Sequence, residues 1–210
     1  MLIICFGDSL TAGFQSPSTD NPAGRETPYG AFLQDRLGEQ FLVWVSGICG
    51  ERTSEMAMRF RRDVLNRKPG TVVILGGTND LGWNAQPSDI MRNLVMMYEG
   101  AIARGITPVP VTVPSIRIAG GQAGPEERTW IDDHIQRRHK LNGLIRDYAL
   151  SKSLPWIDLF SATTEPETGQ LAERYSNDGI HLTTAGYRLL AQLVYDRVFT
   201  WLRNGLGEAR

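Results

Sequence analysis

The stretch Leu2-Ile3-Ile4-Cys5-Phe6-Gly7-Asp8-Ser9-Leu10 decides how this chain is read: an unbroken apolar run stops at Gly-Asp-Ser. Strands that are apolar on both faces belong to parallel sheets covered by helices on each side. A serine at the carboxyl end of such a strand, just where a helix begins, sits where open α/β folds bind ligands and carry out chemistry. The strand signal recurs along the chain. Runs at Phe41 to Val45, Thr71 to Leu75, Thr107 to Val113 and Leu154 to Leu159 join Leu2 to Phe6 to make five β-type segments. Helical spacing fills the intervals, with apolar stripes at Phe32, Leu33 and Leu37, at Met56, Phe60, Val64 and Leu65, and at Ile90, Leu94, Met97 and Ala101. Two further stripes run through Ile135, Leu141, Leu144, Ile145 and Tyr148, and through Leu190, Ala191, Val194, Val198, Trp201 and Leu202. The alternation predicts a three-layer α/β/α domain with a five-stranded parallel sheet, because right-handed crossovers place helices on both faces. Residues 15–28, and 114–128 with Gly120, Gly121, Gly124 and Pro125, read as long polar loops. Each follows a strand end, so both are expected over the same rim, and connections of that length tend to be functional.

With 210 residues and 41% hydrophobic content, the chain can bury one sizeable core and reads as a single domain over 1–210. Lys and Arg total 22 against 23 for Asp and Glu, so no net field favours nucleic acid or an anionic membrane. Met1 runs straight into strand-like residues, without the charged start, apolar stretch and small-residue cleavage site of a secretory signal. No later apolar run reaches bilayer-spanning length, so a cytoplasmic location without stable membrane insertion is expected. Cys5 and Cys49 form no Cys-x-x-Cys pair and are expected to be reduced. His134, His139 and His181 lack zinc-ligand spacing, so neither a metal nor an organic cofactor is expected.

An alcohol nucleophile at neutral pH needs a base for its proton, a group that orients the base, and donors for the oxyanion that forms. Ser9 can be the nucleophile and His181 the base, with Asp178 placed locally in Asp178-Gly179-Ile180-His181 to receive an imidazole N–H. Thr183 or Thr184 then caps the last helix. Small residues in Ser46-Gly47-Ile48-Cys49-Gly50 and Gly76-Gly77-Thr78-Asn79-Asp80 let the Gly50 N–H and the Asn79 amide approach a carbonyl beside Ser9. With the Ser9 N–H, that makes three oxyanion donors.

Four separated blocks carry a resemblance: Gly7-Asp8-Ser9-Leu10, the glycine loop ending at Gly50, Gly77-Thr78-Asn79-Asp80, and Asp178-x-x-His181. Together they resemble the SGNH hydrolases, also called GDSL esterases and lipases, and in size the compact bacterial thioesterase and lysophospholipase members. The resemblance implies a flavodoxin-like sheet and hydrolysis of a small-molecule ester or thioester through an acyl-serine. It implies Ser9 as nucleophile, His181 as base, Asp178 as its orienter, and Gly50 and Asn79 as oxyanion donors. Val45 stands where relatives often carry a polar residue, which leaves Gly47 as a second-choice donor, and Leu182 stands where proline is frequent.

Asp8 and Asp80 are assigned to structure, as caps or turn formers. Cys49 is set aside as a nucleophile, His134 and His139 as solvated surface, and Arg59, Arg61, Arg62, Arg67 and Lys68 as a solvated basic face. The loops, with Phe14, Trp83 and Ile116 nearby, are expected to form the acyl or alcohol pocket. No Gly-x-Ser-x-Gly elbow and no phosphate-binding glycine pattern occurs. The alternatives are an acyltransferase using the same acyl-serine and a non-catalytic ligand-binding domain of this layout.

Overall fold

The computed structural model describes residues 1–19, 22–118 and 124–199. Strand β1 (Leu2–Gly7) leads into α1 (Ser9–Ala12) and a small antiparallel hairpin, β2 (Phe14–Gln15) and β3 (Arg25–Glu26). There follow α2 (Tyr29–Leu37), β4 (Leu42–Gly47), α3 (Thr53–Asp63), β5 (Thr71–Leu75), α4 (Thr78–Gly82) and α5 (Pro87–Ile102). The chain continues through β6 (Thr107–Pro110), α6 (Pro125–Ser151), α7 (Leu159–Thr163) and α8 (Thr184–Val198).

The main sheet is parallel, in the order β4-β1-β5-β6. From β1 the chain passes to β4 on one side and then crosses to β5 on the other, so the strand order reverses at the carboxyl end of β1. That end is the crevice in which open α/β sheets hold ligands. The register levels the strand ends there, Gly7 standing opposite both Gly47 and Leu75.

Alternation along β1 divides the core. Ile3 and Cys5 pack with Leu33, Tyr187, Leu190 and Val194 of α2 and α8. Ile4 and Phe6 face the other way, onto Met56, Phe60, Leu94, Met97 and Leu141 of α3, α5 and α6. This is the predicted three-layer arrangement.

The sheet has four strands where five were expected. The segment Leu154 to Leu159 contributes a single parallel bridge, Ile157 to Val111. There the Ile157 N–H donates to Pro110 O at 2.9 Å and the Thr112 N–H to Ile157 O at 2.9 Å. Thr107 and Val111 turn their N–H groups toward β5, so the positions facing the fifth segment are Pro108, Pro110 and Thr112. Two of those carry no N–H, and a ladder cannot extend past donors that do not exist.

Helix α6 begins earlier than the apolar spacing suggested. Pro125 occupies its first turn, and Glu127 accepts from the Gly124 N–H at 2.8 Å, closing a cap. The expected loop 114–128 thus yields its last residues to the helix, while the loop 15–28 contains the β2–β3 hairpin. Gly120, Gly121, Trp201 and Leu202 lie outside the described residues.

Candidate active site

Ser9 is the first residue of α1, and Asp8 is its cap: the Asp8 carboxylate accepts from the Leu10 N–H at 2.9 Å. Its structural role is as expected. This short strand-to-helix turn presents the hydroxyl at the rim with the side chain only 5% exposed.

Asp178, Gly179, Ile180 and His181 form the turn that leads into α8. Asp178 Oδ1 accepts from the backbone N–H of Ile180 at 2.9 Å and of His181 at 2.8 Å, while Thr183 caps the helix through the Gly186 N–H. Gly179 holds this turn against a neighbouring segment. Its φ is +83°, and a Cβ there would stand 2.0 Å from the Arg117 carbonyl oxygen, so only glycine fits. The Arg117 N–H donates back to Gly179 O at 2.9 Å.

The turn carries the imidazole to the serine. His181 Nε2 lies 3.1 Å from Ser9 Oγ and Nδ1 lies 2.7 Å from Asp178 Oδ2, joining positions 172 residues apart in the chain. The network assigns Nδ1–H to the carboxylate and leaves Nε2 to accept from the serine hydroxyl. The ring is braced from its other side by Phe14, edge to face at 4.7 Å between centroids.

Burial acts to raise the Asp178 carboxyl pKa. Hydrogen bonds from His181, from the Ser16 hydroxyl and from the Ile180 and His181 backbone N–H groups outweigh it and hold the group well below the usual carboxylate range. A permanently ionised partner is what an imidazolium needs. Ser16 was missed in the sequence. It belongs to the loop 15–28, which Gln15 anchors to α8 through Thr184 Oγ1 and Thr184 N, both at 3.0 Å. The loop therefore supports the carboxylate, and Phe14, just before it, braces the ring.

The two residues expected as oxyanion donors follow the ends of β4 and β5. Gly50 has φ +77°, a left-handed conformation that suits glycine, and no heavy atom within 4 Å of where a Cβ would be. Asn79, near the start of α4, donates one amide N–H to Glu51 O at 2.9 Å. The amide has a second N–H for a ligand. Asp80, as expected, is structural: it receives the Thr53 N–H at 2.9 Å and the Thr53 hydroxyl at 2.6 Å, tying α4 to the start of α3.

Arg59 corrects the expectation of a solvated basic face. It is 6% exposed and lies on the inner stripe of α3 with Met56 and Phe60. Its guanidinium pairs with Glu51 at 2.6 Å and Asp63 at 3.0 Å, and donates to Ser46 Oγ at 2.7 Å and Gly7 O at 2.9 Å. It also lies over the Phe6 ring, 4.2 Å from the centroid. Period alone cannot reveal this, because the partners come from three other segments.

His134 corrects a second expectation. It is 4% exposed rather than solvated, its ring 4.2 Å from that of Trp130. Trp130, His134 and Arg138 form one row on α6, exposed at Trp130 and buried at His134 and Arg138. Burial, then the charges of Arg138 and Arg137, lower its pKa. His139, five residues on, is exposed as expected.

Next to the candidate triad opens a cavity of about 350 Å³ lined by Asn79, Trp83, Ile116, Trp130, Arg138 and Ile180, among others. Trp83 and Ile116 were expected there; Phe14 instead packs on His181. Cys49 is exposed, and partial burial with the charges of Glu26 and Asp8 raises its thiol pKa, which disfavours the thiolate.

Asp8 is fully buried behind the nucleophile and one of its oxygens has no partner. Burial raises its carboxyl to about 7, against the opposing pull of the Leu10 N–H and of His181. The folded state therefore holds the proton to higher pH than the unfolded chain, and stability falls as pH rises from about 4 through about 7. The contribution from this group is at most about 1.4 kcal/mol per pH unit. Denaturant melts across that range should show the slope in the parent and lose it in Asp8→Asn.

Ser9, His181 and Asp178 thus meet at the switch point of a parallel α/β sheet. The chain belongs to the GDSL-like lipase/acylhydrolase family, whose model matches residues 5–189. It is 24% identical to an uncharacterized lipoprotein of Bacillus subtilis, over 92% of this chain and 88% of that one. Among solved structures it resembles a GDSL-like lipase from Bacteroides thetaiotaomicron, with 25% identity, TM-score 0.73, and 93% and 86% of the two chains covered. A lipase/acylhydrolase from Enterococcus faecalis matches with 25% identity, TM-score 0.73 and 94% of each chain covered. Family membership supports an ester hydrolase. The Bacillus protein is named a lipoprotein, whereas the sequence reading placed this chain in the cytoplasm. No helix among the described residues is long and apolar enough to cross a membrane.

Proposed function

We propose that the chain is a single-domain serine esterase that cleaves small-molecule esters or thioesters through an acyl-enzyme on Ser9. The observation that carries this reading is the hydrogen-bonded line Ser9 Oγ, His181 Nε2, His181 Nδ1, Asp178 Oδ2, with separations of 3.1 and 2.7 Å. His181 takes the serine proton as Oγ attacks the carbonyl carbon, then delivers it to the leaving alcohol or thiol. Water repeats the cycle: His181 removes a proton as the water oxygen attacks the acyl carbon, the bond from that carbon to Ser9 Oγ breaks to release the carboxylic acid, and the proton passes from His181 to Oγ. Asp178 orients the ring and stabilises the imidazolium. The N–H groups of Ser9 and Gly50 and the Asn79 amide receive the oxyanion.

Mass spectrometry of protein quenched during p-nitrophenyl ester turnover tests the reading: the acyl group should appear on the peptide containing Ser9. An adduct elsewhere, or turnover without one, overturns it. Asn79→Ala should lower kcat by about 10²- to 10³-fold with a smaller change in KM, since an oxyanion donor acts mainly in the transition state. An equal change in KM alone would reassign Asn79 to substrate binding.

A further inference from the structure

The cavity beside the candidate triad is charged at its closed end. Along α6, Trp130, His134 and Arg138 stand in one row, and their exposure falls from 55% to 4% to 2%. The row runs about 12 Å along the helix axis. Exposed Trp83 and Ile180 flank the cavity beside it. The mouth is thus aromatic and apolar, and the floor is a guanidinium.

That guanidinium is short of partners. Its Nε donates to Pro114 O at 3.1 Å, while Nη1 is buried with no hydrogen bond. Among the described residues no carboxylate lies within ion-pair distance of it. Its pKa is lowered to about 10 by burial and then by Arg137, so it remains cationic at neutral pH. Arg117, also lining the cavity, donates through Nη2 to Ser176 O at 2.7 Å and keeps a buried Nε without a partner. Asp178 lies on the same wall, but its oxygens are taken by His181, Ser16, Ser176 and two backbone N–H groups. A buried cation is stable only when compensated, and buried polar atoms left unpaired in a native fold call for an explanation.

Building on the esterase reading, we propose that the preferred substrate carries a carboxylate remote from the scissile ester, and that Arg138 at the cavity floor binds it, with Arg117 at its side. A guanidinium offers only donors, in a planar fork that matches two carboxylate oxygens. Two cations against one already engaged carboxylate leave a net charge that a monoanion balances. The aromatic mouth would hold the intervening carbon chain. Arg138 is here a specificity-determining residue and takes no part in bond making.

The test compares matched esters on the full chain. One pair carries the charge on the acyl side, mono-p-nitrophenyl glutarate against its methyl-capped ester. The other carries it on the alcohol side, 4-acetoxybutanoate against its methyl ester. In one of the two pairs, kcat/KM should favour the carboxylate by roughly tenfold to a hundredfold. That ratio should fall to near one in Arg138→Met and be partly kept in Arg138→Lys. Each ratio is taken within one variant, so a general loss of activity does not enter it. A parent ratio near one in both pairs overturns the proposal, whether or not the variants fold; so does a ratio undiminished in a folded Arg138→Met. Valerate binding, followed by tryptophan emission, separates the two readings. Binding that Arg138→Met abolishes, in a protein that forms no acyl-Ser9, keeps the anion site and sinks the esterase. Equal hydrolysis of charged and neutral esters does the reverse.

Discussion

Ser9→Ala is expected to lower kcat/KM for p-nitrophenyl acetate by about 10⁴- to 10⁶-fold, with a melting curve close to the parent's. The large loss follows from losing the covalent route altogether. The small stability change follows from the contacts: among the described residues the Ser9 hydroxyl hydrogen-bonds only to His181, and Asp8 rather than Ser9 caps α1. His181→Ala should cost a similar factor, because an unactivated hydroxyl is a weak nucleophile. The double variant should be scarcely worse than either single one, since both remove the same step. Turnover retained in a folded Ser9→Ala protein, or losses that multiply, would end the acyl-serine account.

The second large effect is expected on stability. Arg59→Met should destabilise the protein by about 3 to 5 kcal/mol, because it leaves Glu51, only 9% exposed, buried without its counter-charge. Arg62→Ala, whose guanidinium is 72% exposed beside the same Asp63, should change stability by less than about 1 kcal/mol. Adding Glu51→Gln to Arg59→Met should recover part of the loss by removing the stranded charge. Chemical denaturation of the four proteins decides it, and equal losses at Arg59 and Arg62 would count against the buried pair. Arg59 also ties Gly7 O, two residues before Ser9, to Glu51, the residue after Gly50. Any folded Arg59 variant should therefore lose kcat as well, the serine turn and the proposed donor loop no longer sharing one anchor. Arg59→Lys keeps the charge without the fork and should rescue little.

Much of the fold is local enough to be read along the chain. β5 occurs over Thr71–Leu75 as expected, and β1 extends one residue past its expected end; short apolar runs between turn signals suit strands buried on both faces. The fifth strand failed for a reason equally present in the sequence, the missing donors of Pro108 and Pro110. Their effect became apparent only once β5 was known to occupy the other edge of β6.

The candidate site residues were legible as types, with Asp178, Gly179 and His181 close together and Ser9 at the end of the first strand. The buried arginines near the site were not. Arg59 and Arg138 sit in arginine-containing helical runs that look like solvated faces, and nothing local distinguishes them from Arg61 or Arg137.

The sequence by itself located the four strands of the main sheet and the five longer helices, and therefore determined that Ser9 would emerge at a sheet rim, because side-chain period and backbone donors are properties of neighbouring residues. Only the tertiary structure decided that His181 comes within 3.1 Å of that serine. It also decided that Arg59 is enclosed by Glu51, Ser46 and Gly7, and that Arg138 lines a cavity without an ionic partner among the described residues. Burial and pairing are set by which distant surfaces the crossovers bring together, and a charge costs little or much according to what those surfaces offer it.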